Sequence, residues 1–404
     1  MVIGIIGGGA SGMTAALAAA ENPNAQIILF ERQARVGRKL QATGNGRCNI
    51  TNLNAGPKRY HSELPEFVEP AIGMMDPENT LKWFQEMGLY TVAESTGRVY
   101  PYSDQANSVV DILRFALNKF NIQLRLGAEV TKVKKTSEGF KVSTEEDESL
   151  CDRVIIACGG LAGTKLGGSM SGYKLLSKLG HKITRLRPAL VQLKSSWSGV
   201  SALKGVRANV RAEILFDGVL FSQSMGELQF TEYGLSGPVI FEVSRDACQS
   251  AGDWTCRLDF IPHISESVLY NELLSRREKK FSSDELLTGI LHNRLGRVLT
   301  KSAGVPGNQC ADTISDTQLK AVCDAVKSLE IPLIEPLGMD SAQVTAGGAM
   351  VKDFVPETME SRIVPGLYAC GEVLDVDGDC GGYNLQWAWS SGWCAGTNAG
   401  KDLS

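Results

Sequence analysis

The hexapeptide Gly7-Gly8-Gly9-Ala10-Ser11-Gly12 lies between an apolar run, Val2 to Ile6, and a stretch of helix formers, Met13 to Ala20. An acid, Glu31, closes the next apolar run, Gln26 to Phe30, and Arg32 follows it. Glycines at the first, third and sixth places of such a turn suit a pyrophosphate. Gly7 permits the tight turn, Gly9 lets phosphate approach the backbone, and Gly12 lets helix close on strand. The N-terminus of the helix that follows attracts the negative charge. Glu31 is then set to accept hydrogen bonds from an adenosine ribose. Gly37-Arg38-Lys39 would bring two cations near the pyrophosphate. Thr43-Gly44-Asn45-Gly46-Arg47-Cys48-Asn49 gathers bare backbone, amides and a guanidinium suited to a second, larger half of a dinucleotide.

Other residue sets are less specific. Asp375, Asp377 and Asp379 form an acidic loop that could draw an amine or simply be solvated. Arg98, Tyr100 and Tyr102 could line a cleft, although tyrosines beside proline also serve packing. The four histidines, His61, His181, His263 and His292, are scattered, so neither a metal set nor a nucleophile triad emerges. The ten cysteines, Cys248 among them, contain no C-x-x-C and read as reduced cytosolic thiols.

The elements that would carry these residues follow from pattern. Val2 to Ile6, the glycine turn, the helix and Gln26 to Phe30 make a βαβ unit. Helices are expected near Asn79–Met87 and Ser108–Phe120. A hairpin turns at Thr136-Ser137-Glu138-Gly139, and Val154-Ile155-Ile156-Ala157 is a second buried strand. From Val206 to Ile214 apolar and polar residues alternate, and Asp217-Gly218 supplies a hairpin turn before Val219. Residues 265 to 329 read as helical, with Ser282 to Glu285 capping a helix through Leu286, Leu287, Ile290 and Leu291 and another carrying Leu319, Val322, Ala325 and Val326. Arg276 to Lys280 reads as a solvated helix face. The expected fold is α/β: a discontinuous Rossmann-like domain, 1–188 and 336–404, an inserted β-barrel-like domain, 189–262, and a small helical domain, 263–335.

Composition limits the rest. Glycine supplies 43 of 404 residues, about 11% against a usual ~7%, and the excess gathers in the segments assigned to the dinucleotide. With 41 basic against 45 acidic residues, the net charge is −4, which argues against nucleic acid as a main partner. No apolar run approaches the ~18 residues of a membrane span. The expectation is a cytoplasmic protein with a small-molecule substrate and no nucleic-acid or membrane partner.

Four stretches resemble a three-domain flavoprotein family that includes aminoacetone oxidase and the BaiN/RdsA-type reductases. They are Gly37-Arg38-Lys39-Leu40, Ala42 through Asn49, Thr345-Ala346-Gly347-Gly348, and Gly381-Gly382-Tyr383-Asn384-Leu385-Gln386-Trp387-Ala388. The resemblance covers nearly the whole chain and implies non-covalent FAD. It implies a cofactor set of Gly7, Gly9, Ala10, Ser11, Gly12, Glu31, Arg32, Arg38, Lys39, Thr43, Asn45, Asn49, Val130, Ala157, Gly159, Gly371, Glu372, Gly382, Asn384, Leu385 and Gln386. Cys158 departs from the commoner threonine, and Glu372 from the commoner aspartate. Backbone N–H groups of Asn384, Leu385 and Gln386 would face the flavin pyrimidine. Tyr383, Asn384 and Arg98 are the catalytic candidates, and no metal is expected. Glu232 and Tyr233 lie in another family-like stretch, where many relatives carry a histidine absent here.

The implied activity is hydride transfer through flavin N5, leaning to reduction of an activated C=C bond with NADH or NADPH bound transiently. The alternatives are an oxygen-using amine oxidase of the aminoacetone type and a non-catalytic redox sensor responding through Cys48 or Cys380. RNA modification by a folate–flavin enzyme fits poorly with the acidic charge balance.

Overall fold

A computed structural model describes residues 1–247, 249–279 and 281–402. The chain forms two compact units, Met1–Arg187 with Gln343–Ser404, and Pro188–Ala342.

The first unit is built on a five-stranded parallel sheet. Its order is Leu367–Ala369, Arg153–Ile156, Val2–Ile6, Gln26–Glu31, Gln123–Leu126. Ile5 sits between Ile155 and Leu29 and is wholly buried, as a parallel strand covered on both faces requires. The helix Ala10–Ala19 leaves the first strand through the glycine turn and buries nearly every side chain. Such all-round burial explains why the sequence there is apolar without amphipathic rhythm.

The terminal helix, Tyr383–Gly400, covers that first helix. A Cβ at Gly392 would stand 2.5 Å from the Ser11 carbonyl oxygen, one at Gly396 2.3 Å from that of Ala15, and one at Gly400 3.1 Å from that of Ala19. The four-residue spacing puts these glycines on one helix face, where backbone meets backbone. Gly392 and Gly396 therefore serve helix packing, not the cofactor role that the glycine excess implied for this stretch.

The hairpin Lys132–Thr136 with Gly139–Ser143 forms where the alternation predicts. A short ribbon of Thr51–Asn52, Arg98–Pro101 and Thr91–Ala93 lies beside the loop 43–49.

In the second unit a closed barrel runs in the order Leu193–Ser195, Gly234–Ser236, Val219–Phe230, Arg207–Phe216, Trp254–Asp259, Leu329–Pro336. Asp217 and Gly218 both take positive φ, 48° and 78°, as a two-residue hairpin turn demands. The last barrel strand comes from the end of the stretch that reads as helical. The helices Glu266–Glu278, Asn293–Ser302 and Asp316–Lys327 share one core with the barrel through Leu258, Leu273, Leu319 and Val326.

Two local expectations are corrected here. Residues 286–291 are turns, not helix, because Gly289 takes φ 79° and breaks the run. Arg276 and Arg277 are not a solvated face: Arg276 donates to the carbonyls of Leu286 and Thr288, and Arg277 to that of Ile314 and to Asp316. The Arg276 bonds tie the broken segment to the helix before it, and the Arg277 bonds tie that helix to the start of Asp316–Lys327. Lys280 and Cys248 lie outside the described residues. Among the described residues no helix is long and apolar enough to cross a membrane.

Candidate dinucleotide site

The glycine turn separates its jobs by position. A Cβ on Gly7, whose φ is 113°, would lie 2.4 Å from the Ala157 carbonyl oxygen, and one on Gly12 1.8 Å from that of Gly7. Both glycines are there because turn, helix and neighbouring strand touch. Gly9 is different: a Cβ there meets nothing within 4 Å, and the same is true of Gly159. Bare backbone thus faces open space at the carboxyl ends of two adjacent strands, where open α/β sheets bind ligands. The N–H groups of Ala10, Ser11 and Gly12, in the first turn, have no carbonyl four residues back within the helix.

Glu31 is held in place by backbone. Its Oε2 accepts from Gly8 N–H at 2.7 Å and its Oε1 from Gln33 N–H at 2.7 Å, which leaves lone pairs on each oxygen for ribose hydroxyls. Arg32 donates to the Gly167 carbonyl and Arg38 to Gln33. Val130 is buried in the core of the first unit.

Across the site, Lys39 Nζ meets Glu372 Oε2 at 2.8 Å, while Thr345 N–H donates to Glu372 Oε1 at 2.9 Å. A Cβ on Gly160 would collide with that carboxylate at 2.3 Å. The Thr345 hydroxyl accepts from the N–H groups of Leu161 and Ala162. Glu372 is thereby fixed by one cation and one amide. Gly371 is engaged in packing: its N–H donates to Ser391, its carbonyl accepts from Trp387, and a Cβ on it would meet Ser11 Oγ at 2.5 Å.

The second half gathers around Gly381 and Gly382, with φ of 125° and 105°. A Cβ on Gly382 would stand 2.6 Å from the Thr51 carbonyl and 2.9 Å from Asn49 Oδ1. That Oδ1 is buried without a hydrogen-bond partner. Thr43 caps the Leu40 carbonyl, and Asn45 takes φ 56° in the exposed loop beside it. Open space at Gly9 and Gly159 and the orphaned Asn49 oxygen are what a long, polar, two-ended ligand would complete, so the residues present fit FAD.

Several residues fall elsewhere than the sequence implies. The Gln386 N–H is spent on the Gly382 carbonyl, being the fourth amide of the helix, and cannot face a flavin. Its side chain is a buried hub: Nε2 donates to the Met75 carbonyl and to Thr80 and Ser390, and Oε1 accepts from Thr51. Gln386→Met should cost about 2 kcal/mol of stability by stranding those partners, read as a lower denaturant midpoint at unchanged slope. Asn384 clasps Gly378, accepting from its N–H at 2.8 Å and donating to its carbonyl at 2.7 Å, so its amide shapes the loop 376–380. The Tyr383 carbonyl accepts from Tyr60 at 3.1 Å, and its ring lies under Arg59. Leu385 is half-buried on the first turn.

Asp375 and Asp377 are buried, and Asp379 is paired with His61 at 2.9 Å and Arg59 at 3.4 Å. Tyr100 is buried under the Arg47 guanidinium, 4.0 Å above its ring, whereas Tyr102 points to solvent. Glu232 and Tyr233 belong to the second unit, where Glu232 pairs with Lys204 and Tyr233 with Gln192. His181 is buried, stacked on Phe354 and hydrogen-bonded to Ser361, and burial pushes its pKa down. Burial also pushes the Cys48 thiol up to about 12, which keeps it a protonated, unreactive thiol.

The fold and site together define a flavoprotein-type oxidoreductase: a Rossmann-like unit with a dinucleotide turn and a second unit built on an antiparallel barrel. The chain belongs to the HI0933-like family, whose description, HI0933-like protein Rossmann domain, matches residues 1–398. It is 37% identical to a 3-dehydro-bile acid delta(4,6)-reductase from Clostridium scindens over 99% of both chains. It is 31% identical to a ribosomal RNA dihydrouridine synthase from Escherichia coli over 97% of this chain and 96% of that one. A 3-ketosteroid delta1-dehydrogenase from Sterolibacterium denitrificans shares the fold, with a TM-score of 0.50 at 12% identity over 98% of this chain and 99% of that one.

Proposed function

We propose that the protein holds FAD non-covalently and reduces a carbon–carbon double bond conjugated to a carbonyl, with NADH or NADPH as transient donor. The reaction adds one hydride and one proton across the bond and leaves NAD(P)+. The observation that carries this reading is chemical. A delta(4,6)-reductase of a 3-oxo bile acid and a synthase of dihydrouridine, both similar over nearly their whole length, saturate the same motif, an alkene conjugated to a carbonyl.

Bound FAD would supply the hydride relay. This chain's residues would do the rest. The amides of Ala10 to Gly12 hold the pyrophosphate, Glu31 the adenosine ribose, and the Lys39–Glu372 pair the ribityl side. The N-terminus of the helix beginning at Tyr383 stabilises negative charge on the ring system. An amine oxidase reading gains less support, because two of the three loop aspartates are buried and the third is paired. A sensor based on Cys48 is disfavoured by its raised pKa.

The experiment is anaerobic mixing of the yellow protein with NADH, NADPH and aminoacetone in turn, followed by addition of a 3-oxo-4-ene steroid or a uridine oligonucleotide. Bleaching by a nicotinamide and reoxidation by one of the alkenes is the expected result. Bleaching by aminoacetone alone overturns it. The acceptor that reoxidises the enzyme names the substrate.

A further inference from the structure

Several arginines in this chain hand their N–H groups to protein acceptors. Arg153 donates to the carbonyls of Ala399 and Lys401 at 2.7 Å, Arg276 to those of Leu286 and Thr288, and Arg32 to that of Gly167. Arg98 is half-buried in the strand Arg98–Pro101, yet among the described residues its guanidinium has no hydrogen-bond or ion-pair partner. None of its nitrogens is shielded from solvent, so all five donors are open to a ligand. Two other arginines at this corner are neutralised, Arg47 by Asp104 and Glu94 and Arg59 by Asp379.

Its surroundings point to one kind of ligand. A Cβ on Gly381 would lie 3.0 Å from Arg98 Nε, and one on Gly382 2.9 Å from the unpartnered Asn49 Oδ1. Arg98 thus presents unused donors beside Gly381, while the Asn49 acceptor belongs to the dinucleotide half of the site. Directly after them begins an 18-residue helix with no acid in its first turn and no side-chain cap. Its N-terminal potential is positive, the same sign as Arg98. Nearby Asp379 is already engaged by Arg59 and His61.

We infer that Arg98 is a substrate-binding residue that receives an oxyanion, the carbonyl oxygen of the conjugated ketone or imide as it gains negative charge. The inference rests on the proposed reductase reading and names the residue that would recognise the carbonyl. Such a contact strengthens as charge develops, which is how a preorganised cation favours the transition state.

The test uses the FAD-loaded protein and two planar probes, 4-nitrophenolate and its neutral counterpart 4-nitroanisole, with binding read by calorimetry. The phenolate should bind and chloride should compete with it. Arg98→Met should weaken phenolate binding by about tenfold or more, the scale of one charge-assisted hydrogen bond, and Arg98→Lys should restore part of it. Anisole binding and the melting temperature should not change, because no bond within the fold is lost. Phenolate affinity within twofold of wild type in Arg98→Met, no phenolate binding by the parent protein, equal loss for anisole, or a markedly lower melting temperature each overturns the inference. Binding is measured without turnover, so failed bleaching by nicotinamide with an Arg98-dependent phenolate site removes only the reductase reading. Normal bleaching with Arg98-independent binding removes only this one.

Discussion

Gly396→Leu should lower the melting temperature by about 5 °C. Helix propensity alone says the opposite, since replacing a mid-helix glycine should gain up to ~1 kcal/mol. The contact decides. A Cβ at this position stands 2.3 Å from the Ala15 carbonyl oxygen and 2.8 Å from its Cα, and backbone cannot swing aside as a side-chain tip can. The first and terminal helices would have to separate, opening the layer that buries Met13, Leu17, Trp389 and Cys394. Overpacking usually costs 1–3 kcal/mol. A clash along two buried helices should exceed that, at ~4 kcal/mol, in the range that marks a specific structural fault. Gly400→Ala is the control, because the corresponding distance is 3.1 Å and the helix ends there; its cost should stay under ~1 kcal/mol. Thermal unfolding followed by circular dichroism compares the two. A Gly396→Leu protein melting within 2 °C of the parent would mean that the helices are not in backbone contact.

The same helix shows where sequence reading stops. Gly7, Gly9 and Gly12 are legible because a strand, a turn and a helix must meet at a dinucleotide fingerprint, and each glycine there has a separate reason. Gly392, Gly396 and Gly400 carry an equally regular spacing, but its meaning depends on which helix lies opposite, and Ser11, Ala15 and Ala19 are nearly four hundred residues away. The barrel hairpin at Asp217-Gly218 is readable from local alternation and turn chemistry. The closing strand Leu329–Pro336 is not, since Pro332 and Pro336 interrupt its pattern and its pairing partners, Thr255 and Leu193, lie far back in the chain. At the site, residue types at Glu31, Lys39 and Glu372 point to a polar ligand. Gln386 misleads because its motif position does not reveal that its side chain turns inward to Thr51, Met75 and Thr80. Arg98 is conspicuous only once every other possible partner has been placed.

Gly9→Asp should abolish FAD retention while leaving the apoprotein as stable as the parent. Gly9 has φ −81° and ψ −170°, an extended conformation that aspartate adopts without strain, and it is the N-cap of the helix Ala10–Ala19 with no side-chain cap of its own. Aspartate is a favoured N-cap, better than glycine by a few tenths of a kcal/mol, and nothing lies within 4 Å of the new Cβ. The fold has no reason to object. The ligand does: a carboxylate in that space would stand where the pyrophosphate is proposed to lie and would accept the very amides assigned to it. At an effective dielectric constant of ~20, two like charges ~4 Å apart cost ~4 kcal/mol, which is about a thousandfold in affinity. Gly7→Ala should behave in the contrary way, losing stability together with FAD, because its Cβ meets the Ala157 carbonyl at 2.4 Å and its φ of 113° suits only glycine. Measured side by side, melting temperature of the FAD-free protein and FAD affinity by fluorescence quenching separate a residue that shapes the turn from one that leaves room above it. If Gly9→Asp keeps FAD affinity within tenfold of the parent, the pyrophosphate does not lie over Gly9.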